Sequence, residues 1–569
     1  MVGLALLLYY NAKPPPSKDR ILGRKICLDP IEAVSTVAIP WITTCERTHE
    51  VCRRSKQPPL PTRVLKVGNP GEDVVLVDSR GLEGPYVILS YCWGQGATLK
   101  TTPLTLAARQ HGIPHEDLPL TLRHAVDVTR QLQVKYLWID ALCIIQEQSP
   151  PTDWLAESGK MLDYYRNAYV TIGNLDGEAS SSGFLFPRKD NSLEIPSNQD
   201  IAFRLNPPRR SNSIYFDSVL VTRAWCLQER LISTRLLLFG KDQMFWECRT
   251  CCESESEVAV SEGKLKYTGT IQGKQVEALD SEMVQVLASL GTGQMSLRDS
   301  MNIWYTIVQQ YTSRQLTVAS DILIAISGVA NDIQRRTGYD YMYGHWKQDW
   351  CKGLVWSRRP RLDAKVTGAP SWAWASKTGK VVFKVIPTSE DNIFNTVLED
   401  QIEFRETRYD EGELHVRAKC QKIEPWRIFS RSAEEAEKQP ESNIYVSNRY
   451  SSKGELIRNT MELDESHDDL PRTTYKAMNT LLRRSYTVET DIDSELLLSG
   501  HFVVFYLVLV PEESSTGKWK RMGMGTWLQE ITPRRISFED LDCENIFQKL
   551  DLYPKLLFDD SDHEDICLI

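Results

Sequence analysis

Between residues 86 and 240, short apolar runs alternate with segments of helical period, and no other feature constrains the fold of this chain as strongly. Tyr86–Tyr91 (YVILSY), Tyr136–Ile145 (YLWIDALCII), Tyr169–Gly173 (YVTIG) and Arg235–Phe239 (RLLLF) each read as a buried strand. Leu122, Ala125, Val126, Thr129 and Leu132 keep helical spacing after the first run. Trp154, Leu155, Ser158, Met161, Leu162, Tyr165 and Ala168 do so after the second, and a helical pattern over Ala224–Ile232 leads into the fourth. Strands that are apolar throughout are buried on both faces, which calls for helices on both sides of a parallel sheet. The expected fold class is α/β, with a flavodoxin-like, mainly parallel sheet and flanking helices.

A chain of 569 residues exceeds one compact core, so two or three domains are expected. Residues 1–81 read as an irregular lead segment, broken by Pro14-Pro15-Pro16 and Pro58-Pro59. Its Val2–Tyr10 stretch is far shorter than the roughly 20 apolar residues of a membrane span and lacks a basic leader, so buried or disordered lead sequence is expected there. Residues 82–240 form the α/β domain. Residues 241–370 read as an insertion, acidic around Glu253–Glu262, followed by helices over Ile303–Tyr311 and Ala319–Ile333. Residues 371–569 read as β-rich: Leu414, Val416, Ala418 and Cys420 alternate with polar residues, and His501–Val510 pairs with Trp519–Trp527. Residues 430–475 are polar enough to predict a mobile loop.

The net charge of −9, with no basic block, argues against a nucleic-acid partner. Thirteen cysteines, an odd number at low density, fit a reducing compartment, and the expected location is cytoplasmic. Cys567 is third from the end, where a prenylation box needs it fourth, so neither lipid anchor nor membrane span is expected. The sequence holds no G-x-S-x-G, G-x-x-x-x-G-K-[ST] or H-E-x-x-H motif, which removes the main support for hydrolase, ATPase and zinc-protease readings. Cys45, His49 and Cys52, with Cys27 as a further candidate, resemble metal ligands, but a closed site needs four at tight spacing and the cluster offers three with no close fourth. A helical turn carrying apolar thiols is the preferred reading. Cys248, Cys251 and Cys252 form a second thiol group without a nearby histidine. No metal and no cofactor are expected.

Three segments carry a family resemblance: Tyr86–Gly94 (YVILSYCWG), Leu137–Gln146 (LWIDALCIIQ) with Glu157, Met161, Tyr165 and Ala168, and Arg223–Glu229 (RAWCLQE). In order and spacing they resemble fungal heterokaryon-incompatibility (HET) domains. Tyr311–Arg314, Ala369–Ser376 (APSWAWAS) and Arg521–Gly523 look like segments that often follow such domains. One departure is Ile145, where the second motif usually has Asn. Trp225-Cys226-Leu227-Gln228-Glu229 also resembles, more distantly, the W-C-x-x-E element of Toll/interleukin-receptor (TIR) domains, although TIR sequences often have Ser at the position of Arg223.

These resemblances imply an effector of fungal non-self recognition and programmed cell death. By the TIR analogy, Glu229 would cleave the nicotinamide–ribose bond of NAD, making NAD a substrate rather than a cofactor. A carboxylate beside the ribose would stabilise its oxocarbenium-like transition state. The plain alternative is a helix-surface glutamate paired with Arg230 or Arg235, or capping a neighbouring loop. Asp140 reads first as a hydrogen-bonded organiser of the Ser90 loop and second as a ligand contact. Ser90 and Trp93 would line the same crevice. Trp93 and Trp225 are candidates to stack on a base, or to pack; Arg223 would bind a phosphate or pair with Asp140. Self-association and an incompatibility partner protein are expected. The rival reading is a non-catalytic signalling module that recruits partners.

Overall fold

The computed structural model describes residues 6–10, 23–24, 26–95, 99–146, 151–189, 192–194, 201–205, 218–256, 269–271, 274–276, 297–359, 365–383, 395–400, 402–408, 412–423, 444–450, 456–463, 475–490, 496–512, 517–536 and 563–569. Two compact units divide the chain: Met1–Met295 with Ile324–Arg336, and Ser296–Leu323 with Thr337–Ile569. The region expected as one insertion and helical block thus contributes to both.

The first unit is built on an eight-stranded sheet. Its strands are β1 (Arg63–Lys66), β2 (Val75–Asp78), β3 (Tyr86–Ser90), β4 (Tyr136–Trp138), β5 (Val170–Asn174), β6 (Arg235–Phe239), β7 (Met244–Cys248) and β8 (Cys252–Ser254). In space they run β8-β7-β6-β5-β3-β4-β1-β2. The four central strands are mutually parallel, as their apolar runs predict, and β3 and β5 are buried along their whole length. Both flanks are antiparallel, so the sheet is mixed rather than mainly parallel. The flanks come from regions the sequence reading left irregular or assigned to an insertion. Three of these flanking strands have only three or four residues, too few side chains to show a period, and the fourth carries Glu247 within its apolar run.

The second apolar run is also different. Only Tyr136–Trp138 is strand; Asp140–Cys143 is one helical turn. The Asp140 carboxylate accepts the Ala141 N–H at 2.7 Å, and the Cys143 N–H reaches Ile139 O at 2.7 Å, so the backbone turns while its apolar residues stay buried. A continuous apolar run does not distinguish these two conformations.

The helices follow their expected spacing over 120–131 and 224–232, whereas the pattern from Trp154 to Ala168 divides into two short helices. The helices are α1 (Ile39–Thr48), α2 (Leu120–Gln131), α3 (Asp140–Cys143), α4 (Thr152–Ser158), α5 (Met161–Asn167) and α6 (Ala224–Ile232). Among them, α1 lies in the stretch expected to be irregular. Nearly every residue of α6 is buried, because α7 (Ile324–Thr337) crosses it closely. Gly328 allows that approach: its N–H donates to Gln228 Oε1 at 2.7 Å, and an added Cβ would lie 2.8 Å from both Gln228 Oε1 and Ile232 Cδ1. Leu6–Tyr10, within the apolar lead, is a strand paired antiparallel with Ile201–Leu205.

The second unit contains the helix Leu297–Thr312 and a β-rich region. Strands β9 (Glu413–Ile423), β10 (Tyr475–Thr490), β11 (Leu496–Pro511), β12 (Lys518–Ile536) and β13 (His563–Leu568) close a ring, each bonded to the next and β13 to β9. The alternation in β9 buries Leu414, Val416, Ala418 and Cys420, and the β11–β12 pairing is the expected one. Within the segment expected to be a mobile loop, Ile444–Tyr450 and Leu456–Leu463 are paired strands, and the remainder of that segment up to Thr474 lies outside the described residues.

Candidate functional site

The chain leaves β3 for β4 on one side and later returns to place β5 on the other. In open α/β sheets the crevice beyond the carboxyl ends of strands forms at such a reversal. Ser90 is the last residue of β3, and Asp140 follows β4 by two residues. Arg223 caps the start of α6, which carries Glu229 one and a half turns in.

These elements bring the three sequence motifs together. Glu229 is only 8% exposed and accepts a short hydrogen bond from the Ser90 hydroxyl. The Tyr165 hydroxyl from α5 also favours its ionised form. Asp140 accepts the Trp93 indole N–H at 2.8 Å, while Arg223 Nη1 donates to Tyr91 O at 2.7 Å. Tyr91 is buried beside Asp140, and its hydroxyl has no ordinary hydrogen-bond partner. Cys92, Leu175, Leu220, Cys226, Leu236, Leu238 and Phe245 make up an adjoining apolar cluster.

That environment sets the proton affinity of the carboxyls. Burial pushes Glu229 up to about 7; Ser90 opposes the shift, Asp140 adds to it, and Arg223 and Tyr165 oppose it. Burial likewise raises Asp140, against the Ala141 N–H, Trp93, Arg223 and Tyr91. Desolvation disfavours charge, and two nearby carboxyls disfavour it further. A carboxyl with a pKa near 7 can exchange a proton at neutral pH, which ordinary surface glutamates cannot do.

The surface alternative for Glu229 does not hold. Arg230 grips Glu247 with two hydrogen bonds of 2.8 and 2.9 Å, and Arg235 points to Cys45 Sγ and Cys52 O. Ser90, Asp140, Arg223 and Glu229 share one site, and Trp93 reaches it through Asp140. Trp225 packs edge-on against Trp154, with ring centroids 6.2 Å apart. Tyr91 and Tyr165 were not singled out as site residues by sequence reasoning, although both lie within the quoted motifs. The Ile145 departure is absorbed locally: its N–H donates to Asp153 Oδ2 at 2.7 Å, and Thr101 bridges to the same turn.

A mixed α/β domain with a buried and a half-buried carboxyl, Glu229 and Asp140, gathered at the ends of its central parallel strands is the class that fold and site define. Residues 86–229 match the family model described as Heterokaryon incompatibility protein (HET), from the first residue of β3 to Glu229. The chain thus carries a HET domain over residues 86–229. No curated protein and no solved structure matches the chain. Among the described residues, no helix is long and apolar enough to cross a membrane.

Proposed function

We propose that this protein is a HET-domain effector of fungal non-self recognition and cell death, and that it acts by hydrolysing NAD at the nicotinamide–ribose bond. The observation that carries the catalytic part is the Glu229 carboxyl, buried and bonded to Ser90 beyond the end of β3. The order β6-β5-β3-β4 supports a TIR-like reading of the four parallel strands, whereas the antiparallel flanks mark where that likeness stops.

In the reaction, the C1′–N bond breaks with its electron pair leaving on nicotinamide, which departs neutral. Positive charge then spreads over C1′ and the ring oxygen. Ionised Glu229 stabilises that charge, water attacks C1′, and the water proton passes to solvent or to a carboxylate. A dry site strengthens this interaction relative to water. Arg223 is the cation available for a phosphate, and Trp93 the ring available for a base. Self-association completes the crevice and makes activity depend on assembly.

The full chain should release nicotinamide from NAD when concentrated, and Glu229→Ala should reduce release at least about a hundredfold, the scale of losing one transition-state carboxylate. Equal release by both proteins removes Glu229 from the mechanism. The near-complete burial of Glu229 favours a second reading, in which the Ser90–Glu229 bond fastens α6 to β3 and the domain signals by recruiting partners. Cell death with NAD intact supports that reading.

A further inference from the structure

The cysteine–histidine group before the sheet has a fourth member that chain spacing does not reveal. Cys45 lies in the last turn of α1; His49 follows it, its N–H bonded to Cys45 O at 3.1 Å. A single 3₁₀ turn, Glu50–Cys52, then swings Cys52 back. Cys248 ends β7, 196 residues after Cys52 in the chain, and faces them. One ligand atom from each of Cys45, His49, Cys52 and Cys248 lies within 4.8 Å of every other, and Cys248 Sγ is 3.4 Å from His49 Nδ1.

Three features distinguish this group from thiols packed as small apolar side chains. The first is the spacing. A tetrahedral zinc with bonds of about 2.3 Å to sulfur and about 2.0 Å to nitrogen sets its ligand atoms roughly 3.5–3.8 Å apart. The second is thiolate support. The backbone N–H groups of Thr250 and Cys251 both point at Cys248 Sγ, each at 3.4 Å, and such donors stabilise a coordinating sulfur. The third is charge. Three thiolates, a neutral imidazole and Zn²⁺ sum to −1, and buried Arg235 sends its Nε to Cys45 Sγ at 3.4 Å. A buried guanidinium against a net anionic centre satisfies both.

We propose that Cys45, His49, Cys52 and Cys248 form a closed structural zinc site that fastens α1 to the β7–β8 flank of the sheet. With four protein ligands the centre has no open position, so its role is to hold the fold. The surrounding contacts agree with a fastening: Trp41 of α1 stacks on Trp246 of β7 at 6.4 Å and donates to Glu253 of β8 at 3.0 Å. Cys251, although its sulfur is 3.6 Å from Cys248 Sγ, stands outside the ligand set. The trio Glu413, His415 and Cys567 in the second unit does not match it, since the Glu413 carboxylate is already bonded to Lys518 and His415.

The full chain, purified without chelators or an added metal-affinity tag, should carry one zinc per chain by mass spectrometry of its metals. X-ray absorption at the zinc edge should show three sulfurs and one nitrogen. Cys248→Ser and Cys45→Ser should lower the zinc content at least about tenfold, while Cys251→Ser should retain it. The unaltered chain provides a test that does not depend on whether the ligand variants fold. Stripped with a chelator, it should melt at lower temperature and, given Co²⁺, show the intense visible bands of a tetrahedral thiolate site. A chain that contains no zinc and takes up no Co²⁺, a disulfide among these cysteines, or loss of zinc in Cys251→Ser would each overturn the assignment.

Discussion

In the HET domain and in the C-terminal unit alike, separate sequence motifs converge, yet they converge on different chemistry. Ser90, Asp140, Tyr165 and Glu229 come from three motifs and assemble titratable groups whose charge the fold disfavours. In the second unit, Tyr311 meets the Trp374 ring at 6.2 Å, and the Arg521 N–H reaches the Ser371 hydroxyl at 3.0 Å. There the convergent groups are aromatic rings and a cation. The indoles of Trp356, Trp372 and Trp374 donate to the carbonyls of Trp372, Gly412 and Gly344 at 3.3, 2.9 and 2.7 Å. Arg521 lies over Trp356, 3.4 Å from the ring centroid, and burial with Arg521 nearby pushes His345 down to about 3, so it stays neutral. Motif convergence marks what a fold requires; only the identity of the groups separates a core from a candidate site.

The sharpest way to break this contrast is to remove an aromatic anchor. Trp372 is fully buried, so Trp372→Ala should cost about 3–5 kcal/mol in urea unfolding of the full chain. Unchanged stability would mean that the APSWAWAS segment is not the core described here. Gly344 explains how tightly that core is closed: at φ +90° an added Cβ would lie 2.4 Å from Trp374 Nε1.

The carboxyl site should respond to pH instead. Glu229 has an ordinary value of 4.5 and is pushed up to about 7 in the folded chain, so between these values the native state binds more proton than the unfolded state. Stability is therefore full below 4.5 and falls as pH rises through 7, by about 3 kcal/mol for this group. Glu229→Gln should flatten that decline and be the more stable protein at pH 8. Should the wild-type chain keep constant stability across this window, the carboxyl is not desolvated as described.

Legibility followed the physics of each element. The β3, β5 and β6 runs and the α6 helix were readable because apolar strands alternate there with helical periods, Ser90 and Asp140 because each sits at an element boundary, and Glu229 because it closes the RAWCLQE motif. The antiparallel flanks were not, since β1, β2 and β8 have only three or four residues and β7 is interrupted by Glu247. Cys248 escaped as a partner of Cys45 for a different reason. Its proximity arises from β7 pairing with β6, where Cys248 lies opposite Arg235, and no local spacing encodes that register. The proton affinity of Glu229 was equally hidden, because it depends on how much water α5, α6 and β3 exclude together.

The smallest effect tests whether Ser90 tunes Glu229 or merely fills space. Its hydroxyl is the largest influence opposing the burial shift at Glu229. Ser90→Ala removes one oxygen from a buried position, and losing a hydrogen bond to a partly charged acceptor should cost about 1–2 kcal/mol. The loss falls on the ionised carboxylate more than on the neutral acid, so the Glu229 titration should move up by roughly one unit. Nuclear magnetic resonance of a ¹³C-labelled Glu229 carboxyl would read that shift directly, and Ser90→Thr, which keeps the hydroxyl, should restore most of it. A stability loss with no movement of the titration would show that the hydroxyl only packs, and the carboxyl site would then differ from the aromatic core in composition alone.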